Sequence, residues 1–198
     1  MQPVWSLPML AVQAKTDATF SEATYVAEAK FDGWRAGFYK DRDGALQLYG
    51  GRNGHEYTGQ IPYLEAVVRE LLPHDTFVDG ELLSPMGHGG VQSSMTTKYP
   101  HRPSAALPEL YFVAFDVLRS AGEDVRRVSW SVRRDLLEDL LAPLLDSQRI
   151  KASIILPADS ALEIALDAGL EDLPGRRPAP PRVERGPLGC APRCPHLR

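Results

Sequence analysis

The sequence predicts a mixed α+β domain with largely antiparallel sheets. Short stretches that alternate apolar and polar residues recur along the chain, and segments of helical spacing separate them. Their order follows no strict strand–helix–strand rhythm, which argues against an all-parallel sheet. The 198 residues suffice for one core of substantial size.

Residues 1–24 read as an irregular lead-in with short helical pieces. Tyr25–Lys30 alternates as a half-buried strand does, and so do Trp34–Lys40 and Ala45–Tyr49. Between the latter two, Asp41-Arg42-Asp43-Gly44 supplies a hairpin turn. Gly50-Gly51-Arg52-Asn53-Gly54 is a loop by composition. Ile61–Leu72 places apolar residues at 61, 64, 67, 68, 71 and 72, a helical spacing that Pro73 ends. Thr76–Leu83 predicts a strand carrying two carboxylates, and Gly87–Gly90 a break. Leu110–Leu118 is almost wholly apolar and predicts a buried central strand. Ser131–Leu145 predicts a helix capped by Ser129 or Ser131. Ile150–Leu156 predicts a strand, and Ser160–Ala168 a short helix opened by Asp159 or Ser160. From Leu173 onward the chain is rich in Pro and Arg and poor in large apolar residues. Such a stretch buries too little surface to offset its ordering entropy, so residues 173–198 are expected to be disordered.

Apolar residues make up 43% and charged residues 24% of the chain, as in ordinary globular proteins. No apolar run is long enough for a bilayer, and the N-terminus lacks a charged start and a long apolar segment. A cytoplasmic protein that contacts no membrane is therefore expected. The net charge of −4 gives no support to an extended basic surface for phosphate contacts. The two cysteines, Cys190 and Cys194, both lie in the tail, which speaks against a disulfide scaffold. With His196 alone beside them they make a poor zinc site.

The stretch that carries chemistry is Glu28-Ala29-Lys30-Phe31-Asp32-Gly33-Trp34-Arg35. It sets a lysine at a strand end, then a carboxylate, a glycine and an arginine. A nucleophilic lysine must be neutral, and only about one in two thousand is neutral at pH 7 at the free pKa. A neighbouring cation, a metal or a desolvated pocket must lower that pKa. Glycine admits close approach of backbone to a ligand, and arginine grips phosphate or carboxylate with two parallel bonds. Alone, Lys30 would read as a solvated surface charge. The four spaced residues would match by chance on the order of once per hundred thousand start positions.

This stretch resembles the first motif of the covalent nucleotidyltransferases, which include ATP-dependent DNA ligases, RNA ligases and mRNA-capping enzymes. Further matches follow in family order. Gly51-Arg52-Asn53-Gly54 is similar to the next ligase motif, with Gly51 in place of a small hydroxyl residue. Phe77-Val78-Asp79-Gly80-Glu81-Leu82 is similar to the third motif, and Phe112–Leu118 to the one after it. The resemblance implies an adenylation domain of the nucleotidyltransferase (ATP-grasp-like) fold, mostly antiparallel sheets flanked by helices. It implies that Lys30 attacks the α-phosphate of ATP to give a lysine–AMP, which then serves to seal nicked double-stranded DNA. Glu28, Arg35, Arg52, Glu81 and Phe115 would bind the nucleotide, with Phe115 stacking on adenine. Glu81 and Glu171 would hold Mg²⁺ or Mn²⁺, with Asp32 a weaker candidate. A monomer is expected.

The resemblance thins at the end. Ala168-Gly169-Leu170-Glu171 begins the fourth motif, but Asp172 stands where glycine is usual, and no lysine follows. The fifth motif, a strand with two lysines, is not found, nor is the OB-fold domain that follows it in the family. The expected division is thus an adenylation domain over 1–172, incomplete at its end, and a tail over 173–198. The tail has the composition of a GC-rich gene read in a shifted frame. The alternatives to an active ligase are an impaired remnant that at most binds ATP or DNA, a domain completed by a separate chain, and an RNA ligase or guanylyltransferase.

Overall fold

In a computed structural model, the structure describes residues 25–29, 31–51, 53–96, 109–144, 149–157 and 182–185. Lys30, Arg52, Glu171 and the helix expected over 160–168 lie outside the described residues.

A larger sheet is built from β2 (Trp34–Lys40), β3 (Leu46–Gly50), β4 (His55–Glu56), β5 (Thr76–Leu83), β6 (Tyr111–Ser120), β7 (Glu123–Asp124) and β8 (Ile150–Ala152). Its main order is β4-β3-β2-β5-β6-β7, all antiparallel, with β8 parallel to the early part of β6. A smaller antiparallel sheet sets β1 (Tyr25–Glu28) between β9 (Ile155–Pro157) and β10 (Arg182–Arg185). The helices are α1 (Pro62–Leu71), α2 (Gly87–Thr96) and α3 (Trp130–Leu141), the last running into a 3₁₀ turn at Ala142–Leu144.

The period of two along each strand separates the faces of the larger sheet. Ala36 and Phe38 of β2, Leu46 and Leu48 of β3, Val78 and Leu82 of β5, and Phe112 and Ala114 of β6 enter one buried cluster. Leu64 and Val68 of α1, Val91 and Met95 of α2, and Leu137 and Leu141 of α3 fill the same cluster. All three helices therefore cover one face. The ring of Phe38 meets that of Phe112 edge-on, centroids 5.0 Å apart, a pairing that contributes about 0.5–1.5 kcal/mol beyond area burial. The opposite face carries the other residues of the same strands. Register sets Arg35 beside Glu81, Gly37 beside Asp79 and Tyr39 beside Phe77.

Several expectations are corrected by long-range contacts. Gly87–Gly90, read as a break, is the first turn of α2. Gly90 lies so close to Ser84 that a side chain there would overlap it, and Val91 and Met95 bury against the sheet. Tertiary packing thus overrides poor helix propensity. The single strand expected over 150–156 is two strands in different sheets, divided at Ser153. There the backbone N–H turns to donate to the Ala114 carbonyl at 2.7 Å. Helix α3 does start from Ser129, but the Ser129 hydroxyl makes no capping bond and lies 3.2 Å from the Ser131 hydroxyl. In the tail expected to be unstructured, Arg182–Arg185 forms a strand along β1. An open strand edge is a template for any extended segment, which accounts for the pairing without an apolar core.

Candidate active site

The chain passes between the two sheets twice. The first passage runs from β1 to β2 and contains the lysine motif. The second runs from β8 to β9 through Ser153. The two are joined: the Ser153 hydroxyl donates to Glu28 Oε1 at 2.8 Å. Arg134 of α3 braces both, donating to the Ser153 hydroxyl at 3.0 Å and the Ser153 carbonyl at 2.8 Å, with Glu28 Oε1 at 3.6 Å. Glu28 is 2% exposed, so the carboxylate that sequence reading assigned to the nucleotide is described in a buried structural network.

At the far end of the first passage the backbone of Gly33 is fixed. Its N–H donates to Glu81 Oε1 at 3.0 Å, and its carbonyl accepts from the His88 Nδ1 at 2.8 Å. A Cβ at Gly33 would overlap the Leu82 carbonyl oxygen and the Leu83 side chain. The glycine of the motif is thus required by β5, whatever a ligand requires.

Arg35 follows on β2. Its Nε donates to Asp79 Oδ1 at 2.7 Å and its Nη2 to Asp79 Oδ2, a bidentate pair. The guanidinium carbon sits 4.3 Å from the centroid of the Phe115 ring, within cation–π range. Phe115 owes its position to a bulge: Gly80 is in register with Ala114 and Asp79 with Asp116, and Phe115 falls between them. Bulges re-aim side chains in this way beside functional sites. The neighbouring Asp116 takes a bidentate bond from Arg133 of α3, at 2.7 and 2.9 Å, which ties the bulge to the helix layer.

Gly51 shows why glycine replaces the usual hydroxyl residue of the second motif. Its φ of +71° lies in the left-handed region, and its N–H donates to the Arg35 carbonyl at 2.9 Å. The indole of Trp34 packs against it, and Trp34 in turn stacks on His88 with rings 21° from parallel.

The structure therefore brings Arg35, Glu81 and Phe115 together on one face of the sheet and sets Glu28 in the joint between sheets. Asp32 is exposed on the passage between. Sequence reading missed Asp79 and His88. Asp79 could have been found, since it lies two residues before Glu81 and shares its face. Nothing in the sequence marks His88. Among the described residues no group of three or more His, Cys, Asp or Glu is gathered for a metal, and no helix is long and apolar enough to cross a membrane.

A half-buried arginine against a buried carboxylate and a buried aromatic ring, beside a glycine-pinned passage on an antiparallel sheet covered by helices on its other face, defines a nucleotidyltransferase-type domain. The comparisons with known proteins narrow this. The model of the ATP-dependent DNA ligase domain matches residues 8–172, and the chain belongs to that family. It is 31% identical over 178 residues to the multifunctional non-homologous end joining protein LigD of Pseudomonas aeruginosa, covering 88% of this chain and 20% of that protein. It is 33% identical over 137 residues to DNA ligase C of Mycobacterium tuberculosis, covering 67% and 37%. Among solved structures it is similar to mycobacterial DNA ligase D complexed with ATP and MES. The TM-score there is 0.59 and the identity 26%, over 82% of this chain and 50% of that one. The ligase domain of M. tuberculosis LigD follows with a TM-score of 0.54. The chain thus spans about a fifth to somewhat over a third of the length of these curated relatives. The expected fold and the ligase family are both borne out.

Proposed function

We propose that this domain adenylates itself on Lys30 as the first step of sealing nicked double-stranded DNA, in the cytoplasm. The observation that carries the reading is the pinning of the Lys30 motif between Glu28 and Gly33, with Arg35, Glu81 and Phe115 alongside. Lys30 Nζ attacks the α-phosphorus of ATP. An N–P bond forms, the bond from the α-phosphorus to its bridging oxygen breaks, and pyrophosphate leaves with the electron pair while the amine proton passes to solvent. AMP then passes to a 5′-phosphate and is displaced by a 3′-hydroxyl. Phosphoryl transfer of this kind rests on positioning and charge neutralisation.

In this reading Phe115 stacks on adenine. Arg35, held flat by Asp79, directs its remaining N–H donors at the ribose and phosphates. Arg52, the residue after Gly51, is assigned to the nucleotide, and Glu28, buried and bonded to Ser153, anchors the upstream end of the lysine motif. Mg²⁺ or Mn²⁺ supplies charge neutralisation when bound. Glu81 and Glu171 would be its protein ligands, and a hard carboxylate oxygen suits either ion. The end-joining names of the LigD relatives favour a role in DNA repair, with the domain acting as a monomer on DNA.

The test is an intact mass under denaturing conditions after incubation with ATP and Mg²⁺ or Mn²⁺. The expected result is a gain of one AMP in the wild type and none in Lys30→Ala. No gain in the wild type would overturn the reading.

A further inference from the structure

The two peptides that flank the Gly33 Cα are each gripped by a side chain. Glu81 takes the Gly33 N–H and His88 holds the Gly33 carbonyl, at 3.0 and 2.8 Å. A carbonyl can only accept, so His88 must donate from Nδ1, which fixes the tautomer with a proton on that nitrogen. The imidazole is itself set by stacking on Trp34, centroids 6.3 Å apart, and Trp34 is braced edge-on by Tyr57 at 5.6 Å. Helix α2, which carries His88, is anchored by Gly90 against Ser84 and by buried Val91 and Met95. The other end of the same passage is fixed at Glu28 by Ser153 and Arg134. Lys30 lies on the short span between these anchors.

We propose that His88 is a positioning residue for the nucleophile: by holding the Gly33 carbonyl it fixes the downstream end of the span that carries Lys30. This rests on the adenylation reading above. Glu81 holds only the peptide from Asp32 to Gly33. The second bond, from a different element, holds the next one, from Gly33 to Trp34. His88 acts through a backbone carbonyl, so its effect falls on the rate of the step and leaves ATP affinity alone.

The experiment is single-turnover formation of the lysine–AMP by the full chain across ATP concentrations, for wild type, His88→Ala, His88→Asn and His88→Gln. Asparagine can place its amide nitrogen near the position of Nδ1, whereas glutamine reaches toward that of Nε2. Loss of the carbonyl bond is expected to slow the saturated rate about tenfold to a hundredfold in His88→Ala, a loss in line with a displacement of about 1 Å. Half-saturating ATP and the thermal midpoint should stay as in the wild type. His88→Asn should recover most of the rate and His88→Gln little of it. A wild-type rate in His88→Ala, or equal loss in the alanine and asparagine variants, would overturn the proposal. Nitrogen-15 NMR of the wild-type imidazole gives a readout independent of activity. A proton on Nδ1 is expected, and a neutral ring protonated on Nε2 overturns the clamp. A wild type that gains no AMP but shows the Nδ1 proton would sink the adenylation reading and leave the clamp standing.

Discussion

Ser153 Oγ donates to Glu28 Oε1 across 125 residues of sequence, joining the two places where the chain passes from one sheet to the other. Both side chains are buried, and Arg134 adds its charge from α3. A buried carboxylate in such a network is costly to disturb from one side only, because its partners lose an acceptor and cannot recover it from water. Glu28→Ala is expected to destabilise the domain by about 2–4 kcal/mol. Ser153→Ala should cost less, about 1 kcal/mol, since Arg134 still faces the carboxylate. Urea denaturation of both variants checks this, and a cost for Glu28→Ala no larger than for an exposed site would remove the joint.

The other end of the larger sheet is held by Asp75. It is buried with φ of +53° and accepts from Tyr39 Oη, Arg42 Nε and both Nε and Nη2 of Arg119. The hydrogen-bonded Arg119 guanidinium, against the opposing effect of burial and with help from Arg42 and Tyr39, holds its carboxyl well below the usual carboxylate range. A depressed folded pKa contributes stability that is full above the unfolded value of about 3.9 and is lost as pH falls below it. Stability should therefore drop between about pH 4 and the lower folded pKa. Asp75→Asn, which tolerates the left-handed backbone, should be destabilised by about 2–4 kcal/mol at pH 7 and should lose this part of the acid slope. Paired pH–stability profiles decide it. Arg42 is largely exposed, so Arg42→Ala should change little.

The larger sheet was legible from its strand runs. Leu46–Gly50 buries alternate residues, which writes a period of two into the sequence, Trp34–Lys40 and Thr76–Leu83 are buried along most of their length, and Pro73 marks the stop of α1. Arg35, Glu81 and Phe115 were legible from the motif, and the period of two within β5 places Asp79 on the face of Glu81, whereas the register that sets Arg35 beside them was not. What was not legible depends on partners distant in sequence. The split at Ser153 is made by the Ala114 carbonyl and Arg134, the bulge at Phe115 by the register of β5 against β6, and α2 by packing under its glycines. None of these leaves a local periodicity to read.

Arg35 works through shape as well as charge. Its planar fork meets both oxygens of Asp79 while its face covers Phe115. Lysine keeps the charge and loses both the fork and the stacking. Arg35→Lys is expected to cost about 1–2 kcal/mol of stability and at least about tenfold in lysine–AMP formation. Asp79→Asn should weaken the same pair while retaining an acceptor. An Arg35→Lys variant that adenylates at the wild-type rate would show that the fork serves the fold alone.

Glu81 accepts from the Gly33 N–H, and the proposed function gives it a second, separable task, to present a charged oxygen to nucleotide or metal. Glutamine keeps a carbonyl acceptor in nearly the same place and removes the charge. Alanine removes both. If the charge is what the chemistry uses, Glu81→Gln should fold as the wild type does, within about 1 kcal/mol, and lose on the order of a hundredfold in adenylation. Higher Mn²⁺ should recover part of that loss. Glu81→Ala should be as slow or slower and should also lose stability, because the Gly33 N–H is left without its acceptor. Denaturation midpoints with rates at several metal concentrations separate the cases. A Glu81→Gln variant with full activity would confine Glu81 to the backbone bond and move the metal role to Glu171.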